Sequence, residues 1–337
     1  MRMGHSRPLA IALLCALLAS ATAAAQTPCS SSAGTACRGR ITLDSGWKVP
    51  YWRTYALGTS ATSNARVTRA IIVIHGTDRN PDDYFGHVVA AARQEQALDA
   101  TLIMAPHFQT DEDDPAGDEV FWTSGGWKQG DRSVNGGGVS AYAVLDQVIE
   151  RLGDRSGFPN LRQIVITGHS AGGQFTSRYA AGSRVQNPLT RHAFRYVIAN
   201  PSSYMYLRQE RPVLSDPGGN DFRVPATACR FNDYRYGLDA RNAYMNAVSA
   251  SSLQSQYRTR EVIYLLGSDD IYDSNDLDVT CAANFQGFNR FERGNWFFAF
   301  MNRFFPTASH TLRVVPDVGH SGREMYTSEE GRLALFR

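Results

Sequence analysis

From Thr68 onward the chain alternates short β-branched runs with longer stretches of helical periodicity. Residues 69–75 (RAIIVIH) form one apolar run that predicts a buried strand, and residues 82–97 carry Tyr84, Val88, Val89 and Ala92 on one helical face. The pattern repeats as a strand at 101–105, a helix at 139–152, a strand at 163–167 and a helix at 171–181. Strands at 195–199 and 261–266 (EVIYLL) follow, then a helix at 289–304 with Trp296, Phe297 and Phe300, and a strand at 312–315. Residues 323–336 are predicted to close the chain as one helix. Continuous apolar strands separated by helices predict an α/β fold, a mostly parallel sheet covered by helices on both faces. Residues 38–56 are expected to add one or two antiparallel edge strands.

Two segments break the alternation. Residues 106–138 hold Trp122, Trp127 and many glycines, and residues 201–258 hold many tyrosines between polar turns. Irregular segments of this size are expected to be lid or cap insertions. Both follow the C-terminal end of a strand, the edge where open α/β sheets bind ligands.

The first 25 residues read differently. Arg2 and Arg7 precede an apolar run from Leu9 to Leu18, and Ala23–Ala25 offer a small-residue cleavage site, so residues 1–25 are expected to be a signal peptide. The run is too short for a spanning helix. Residues 26–337 are then expected to be a single domain, secreted or periplasmic and without a stable membrane anchor. Without Arg2 and Arg7, the 34 basic residues fall level with the 32 acidic ones, and no basic tract remains. That balance argues against nucleic acid as a partner. Four of the five cysteines lie beyond the leader: Cys29, Cys37, Cys229 and Cys281. In an exported chain they predict two disulfides, with three pairings open. Cys29 and Cys37 are close enough to close a small loop, which leaves Cys229 for Cys281. No cysteine–histidine spacing suggests a metal site.

The chemistry concentrates in "IVITGHSAGGQ", residues 164–174, where a strand breaks into a serine framed by glycines. A serine hydroxyl needs a base within reach, a third group to orient that base, and N–H donors for the oxyanion. Ser170 ends a strand and opens a helix, the context of a nucleophile elbow. Gly168 and Gly172 are expected to relieve collisions across the turn. The N–H of Ala171, at the positive end of the helix, would face the oxyanion.

On these residues the chain resembles the α/β-hydrolase family over residues 68–337, most closely an exported serine esterase or lipase. That family orders its residues as serine, acid, histidine. The resemblance implies His320, in "PDVGHSG", as the base, because His310 precedes its strand and falls at the wrong edge of the sheet. For the acid, "GSDD" after EVIYLL implies Asp270, with Asp269 as its rival; Asp273, Asp276 and Asp278 read as a solvated turn. The His75-Gly76 pair resembles the family's oxyanion loop and implies Thr77 as the second N–H donor. His169 is expected to turn away from the site as a structural residue, and Ser321 is a decoy because Arg323 takes the second glycine position.

The implied activity is carboxylic ester hydrolysis through an acyl-enzyme intermediate, with no cofactor and no metal. A serine peptidase or amidase on the same residues is the alternative, and a non-catalytic binding module a further one. Trp122, Trp127, Tyr204, Tyr206, Phe231, Tyr234 and Tyr236 are expected to leave an apolar pocket over Ser170. The expected substrate is an uncharged ester, small or polymeric.

Overall fold

Strands of Ile and Val need cover on both sides, and here they have it. The computed structural model describes Met1 and residues 26–58, 63–216, 219–272 and 276–337. The expected signal peptide beyond Met1, and Asp273, lie outside the described residues. In chain order the elements are β1 (Arg38–Thr42), β2 (Lys48–Arg53), β3 (Arg69–Ile74), α1 (Pro81–Gln94), β4 (Thr101–Pro106), α2 (Ala141–Gly153), β5 (Gln163–His169), α3 (Ala171–Gly182) and β6 (Ala193–Ala199). The short pair β7 (Arg211–Pro212) and β8 (Phe222–Arg223) leads to α4 (Ala250–Thr259), β9 (Glu261–Gly267), α5 (Cys281–Asn284), α6 (Arg290–Phe304), β10 (His310–Val315), α7 (Gly322–Thr327) and α8 (Glu329–Phe336).

One eight-stranded sheet runs β1-β2-β4-β3-β5-β6-β9-β10. Its first two pairings, β1–β2 and β2–β4, are antiparallel, as the N-terminal expectation had it, and the others are parallel. Alternation along each strand divides the core. Ile72, Ile74, Ile164 and Ile166 face a cluster with Phe175, Tyr179 and Phe297, while Ile71, Val73 and Val165 face Phe85, Val88, Met325 and Leu335. Helices α2, α3 and α6 thus cover one face, and α1, α7 and α8 the other.

The order reverses between β3 and β5: the chain leaves β3 toward β4, and later adds β5, β6, β9 and β10 on its other side. Ligands bind at such a switch point because the loops there diverge and leave a crevice. Register sets what meets in it. Ile74 pairs with Gly168, so the His75 loop opens beside the Ser170 turn. Gly267 pairs with Val315, so the loops carrying Asp270 and His320 emerge together.

Two elements depart from expectation. The insertion that begins at residue 201 ends before Ser249, whose side chain caps α4, a helix packed against α3. The closing helix is two helices, because the Ser328 side chain accepts the N–H of Gly331 and starts a new one.

The insertions lack long ladders, so many of their carbonyls need other donors. Buried arginines supply them. Arg178 of α3, fully buried, donates to the carbonyls of Lys128 in the first insertion and Arg235 in the second. Arg211 donates to the carbonyls of Arg208, Phe231 and Tyr236, and Arg293 to those of Gly287 and Ser202. A planar group with five donors suits irregular backbone of this kind. Disulfides join Cys29 to Cys37 and Cys229 to Cys281, the pairing expected from the spacing. The second ties the insertion to the segment that follows Asp270.

Candidate active site

β5 ends at His169, and α3 begins at Ala171. Between them Ser170 has φ 58° and ψ −121°, a backbone conformation that disfavours any residue with a Cβ. Close approach explains the flanking glycines. A Cβ on Gly168 would lie 2.2 Å from the carbonyl oxygen of Gly172, and one on Gly172 would lie 2.2 Å from that of Ile74. The strained turn is held from below by the Ser170 N–H, which donates to the Ala199 carbonyl at 3.0 Å. Ser170→Gly is therefore expected to be more stable than Ser170→Ala by about 1 kcal/mol in denaturant unfolding. Equal stabilities would show that the turn stores no strain.

Asp270 follows β9 and is 3 % exposed. Its Oδ2 lies 2.7 Å from His320 Nδ1, and its Oδ1 lies 3.7 Å from Nη1 of the fully buried Arg290. The Asp270 carbonyl accepts the Phe291 N–H at 3.1 Å, which seats the turn on the start of α6. Asp269 is exposed, and among the described residues its carboxylate accepts only from the neighbouring Ser268 hydroxyl. Of the two aspartates the structure brings Asp270 to His320.

Ser170 and His320 line one cavity of about 280 Å³, with Gly76, Thr77, Asp78, Tyr84, His169, Asp276 and Gly322. Among the described residues the Ser170 hydroxyl makes no hydrogen bond. Such contacts are often long in the absence of substrate. The N–H groups of Thr77 and Ala171 also lack a backbone acceptor there. Arg79 shapes the Thr77 loop: it donates to the Thr77 carbonyl at 3.2 Å and is tied to Asp113 and Glu112.

His75 is fully buried and both of its nitrogens are engaged. Nε2 accepts the Phe108 N–H at 3.0 Å, so Nδ1 carries the proton and donates to the Gly76 carbonyl at 2.9 Å. Burial lowers its pKa to about 3. It staples the loop and cannot serve as a base. His310, at the opposite end of β10 from His320, is bonded to the Tyr264 hydroxyl and the Tyr257 carbonyl, and burial lowers its pKa to about 4.

These shifts fix a sign. Both histidines bind a proton in the unfolded chain near pH 6.5 and refuse it in the fold, so stability falls as pH drops below 6.5. Each withdraws up to about 1.4 kcal/mol per pH unit, until about pH 4 for His310 and about pH 3 for His75. Urea midpoints from pH 7 to pH 4 should fall less steeply in His310→Gln. An unchanged slope would mean that His310 charges in the fold at no cost.

Three expectations need correction. His169 does not turn away: it is 2 % exposed, lies in the cavity wall, and its ring centroid is 4.4 Å from that of His320. It stays in strand register with Ala199, and its Nδ1 is 3.1 Å from the Tyr84 hydroxyl of α1. Burial holds its pKa well below the usual range. Second, among the described residues no aromatic residue of the insertions lines the cavity. Trp122, Trp127, Tyr204 and Tyr206 are at most 1 % exposed and pack the insertions onto the sheet, Trp127 against His75. Phe231 and Tyr236 pack beside the Cys229–Cys281 bridge, and the Tyr234 hydroxyl bonds to the Gln129 carbonyl. The wall is instead mostly polar. Third, Asp278 is half-buried and accepts from the Tyr236 hydroxyl, so it does not belong to a merely solvated turn; Asp276 is exposed as expected, and it lines the cavity. Ser321 is the cap of α7, its hydroxyl accepting the Glu324 N–H. A larger cavity, about 550 Å³, opens at Ser140, Arg184 and Tyr244 and contains none of the candidate residues.

Tyr84, Arg79 and Arg290 support the site and escaped the sequence reading. Tyr84 and Arg290 sit on helices remote in sequence from His169 and Asp270, Arg79 ties the Thr77 loop to the distant Asp113, and no spacing signals such contacts.

No protein-family model matches the chain, and no curated protein matches it by sequence. Among solved structures it is similar to a poly(3-hydroxybutyrate) depolymerase from Bordetella parapertussis, with 22 % identity, a TM-score of 0.57, and coverage of 85 % of this chain and 86 % of that one. It is also similar to poly(aspartic acid) hydrolase-1 from Sphingomonas sp. KT-1, with 22 % identity, a TM-score of 0.60, and coverage of 89 % and 98 %. The sheet order, the helices on both faces and these likenesses identify the α/β-hydrolase fold.

Proposed function

We propose that this α/β-hydrolase chain is an exported serine hydrolase that cleaves carboxylic esters on a single domain spanning residues 26–337. One observation carries the reading: a serine in a strained strand-to-helix turn shares a cavity with a histidine whose Nδ1 meets a buried carboxylate at 2.7 Å. With the Nδ1 proton directed at Asp270, His320 presents an unprotonated Nε2 to the cavity. Nε2 takes the Ser170 proton as Oγ attacks the ester carbon, and the carbonyl π electrons move onto oxygen. The N–H groups of Thr77 and Ala171 hold that oxyanion. Its collapse breaks the bond to the alcohol, which leaves with the proton from Nε2, and the acyl group stays on Oγ. Water, activated by the same Nε2, then releases the acid. Asp270 keeps the tautomer and balances the imidazolium, and Arg290 holds its other oxygen. No step calls for a metal or a cofactor.

Export is supported by the two disulfides. Among the described residues no helix is long and apolar enough to cross a membrane.

Poly(3-hydroxybutyrate) is joined by ester bonds and poly(aspartic acid) by amide bonds, so the second likeness keeps an amidase reading in play. We favour the ester because an alcohol oxygen leaves with less help from the Nε2 proton than an amide nitrogen, which must be protonated as its bond breaks. One acyl group presented as ester and as amide should give kcat/KM values at least about 100-fold apart, or about 2.7 kcal/mol, in favour of the ester. Equal rates, or a faster amide, would transfer the chain to the amidases.

A further inference from the structure

Among the described residues the wall around Ser170 carries one sign of charge: of those that line the cavity, Asp78, from the loop after β3, and Asp276, from the segment after Asp270, are the ones with a fixed charge. Both are exposed, and among the described residues neither carboxylate makes a hydrogen bond or an ion pair. The cations near them make their ion pairs elsewhere, Arg79 with Glu112 and Asp113, Arg235 with Asp278, and Arg290 with Asp270, although Arg290 and Lys128 also feel the charge of Asp276. None of these arginines lies in the wall, nor does Lys128. In the same wall His169, 2 % exposed, keeps its Nε2 buried with no hydrogen-bond partner among the described residues.

We infer that the cavity selects by charge, taking esters that carry a positive group beside the scissile bond and rejecting those that carry a negative one. This rests on the serine hydrolase reading and adds the substrate class to it. A cleft lined by one sign of charge concentrates ligands of the opposite sign and repels its own. An ammonium entering here meets two carboxylates that make no hydrogen bond or ion pair among the described residues, so it need break none. A carboxylate entering here meets both of them, with Asp270 close behind His320. The field of Asp78 already reaches the inner wall, where it helps burial raise the pKa of Tyr84. At about 280 Å³ the cavity is at the lower limit for drug-sized ligands, so the charged group must sit within a few bonds of the ester. The two similar structures do not anticipate this preference, since poly(aspartic acid) is itself a polyanion.

The experiment uses three acetate esters of matched size, with a trimethylammonium-ethyl, a 3,3-dimethylbutyl and a carboxylate-bearing alcohol. At low salt, kcat/KM should fall in that order, with the cationic ester ahead of the anionic one by at least about tenfold. The ratio should shrink toward one at about 1 M salt, where screening acts within about 3 Å. In the Asp78→Asn/Asp276→Asn double variant it should fall at least about fivefold at low salt. Equal or reversed rates, or a ratio indifferent to both salt and the double variant, would overturn the inference. If the wild-type protein hydrolyses none of the three, the hydrolase reading fails separately. Calorimetric binding of the same esters to Ser170→Ala, which keeps both carboxylates, then decides: tighter binding of the cation supports charge selection, and no difference removes it.

Discussion

Ser170→Ala is expected to lower kcat on any ester substrate by at least about 10⁴-fold and to abolish labelling by a fluorophosphonate. The loss comes from chemistry alone. Among the described residues Ser170 makes no side-chain hydrogen bond whose removal would disturb the fold, and alanine keeps the Cβ that the turn already tolerates. Unfolding of the variant should match that of the wild type within about 0.5 kcal/mol. Ser321→Ala supplies the contrast. That serine caps α7, so its loss should cost about 0.5–1 kcal/mol of stability and leave labelling in place. Labelling that persists in Ser170→Ala, or vanishes in Ser321→Ala, would mean that the nucleophile has been misassigned.

Asp270→Asn should lower kcat by about 10³–10⁴-fold, because an amide can turn its NH₂ toward His320. Nδ1 then becomes the acceptor, the ring proton moves to Nε2, and the base is occupied when Ser170 needs it. Asp269→Asn should change kcat by less than about fivefold, since its carboxylate is exposed and among the described residues meets only Ser268. Loss of the Asp270 charge also weakens the buried contact to Arg290, so stability must be measured alongside rate. A variant that stays folded at the assay temperature with near-wild-type kcat would remove Asp270 from the mechanism. The reverse ranking of the two aspartates would shift the acid by one position.

The parallel sheet was legible because its strands are unbroken apolar runs, which no solvated element tolerates. Ser170, Asp270 and His320 were legible for a related reason: each follows a readable strand, so chain order and sheet edge located them together. Elsewhere the signal was weak or absent. Helix α4 buries only Leu253 and Tyr257, too faint a stripe to separate it from the insertion. The break at Ser328 was present in the text, as a serine followed by two glutamates, but the apolar periodicity runs through it. The aromatic residues of the insertions announced burial without saying against what, and here the sheet claimed them rather than the cavity. His169 was misjudged because an elbow was assumed to rotate every neighbour of the serine; strand pairing persists through His169 and holds its ring beside His320.

Arg178 sets a limit on how this protein can be rebuilt. Its guanidinium springs from a helix of the sheet layer and grips one carbonyl from each insertion, so neither insertion is a detachable part. Exchanging one of them for a loop of different course would strand a buried cation and release the other insertion as well. Divergence in this lineage should therefore proceed by substitution within the two segments, or by replacing both at once. A chimaera that imports a single foreign loop should express poorly, however well its cavity has been chosen.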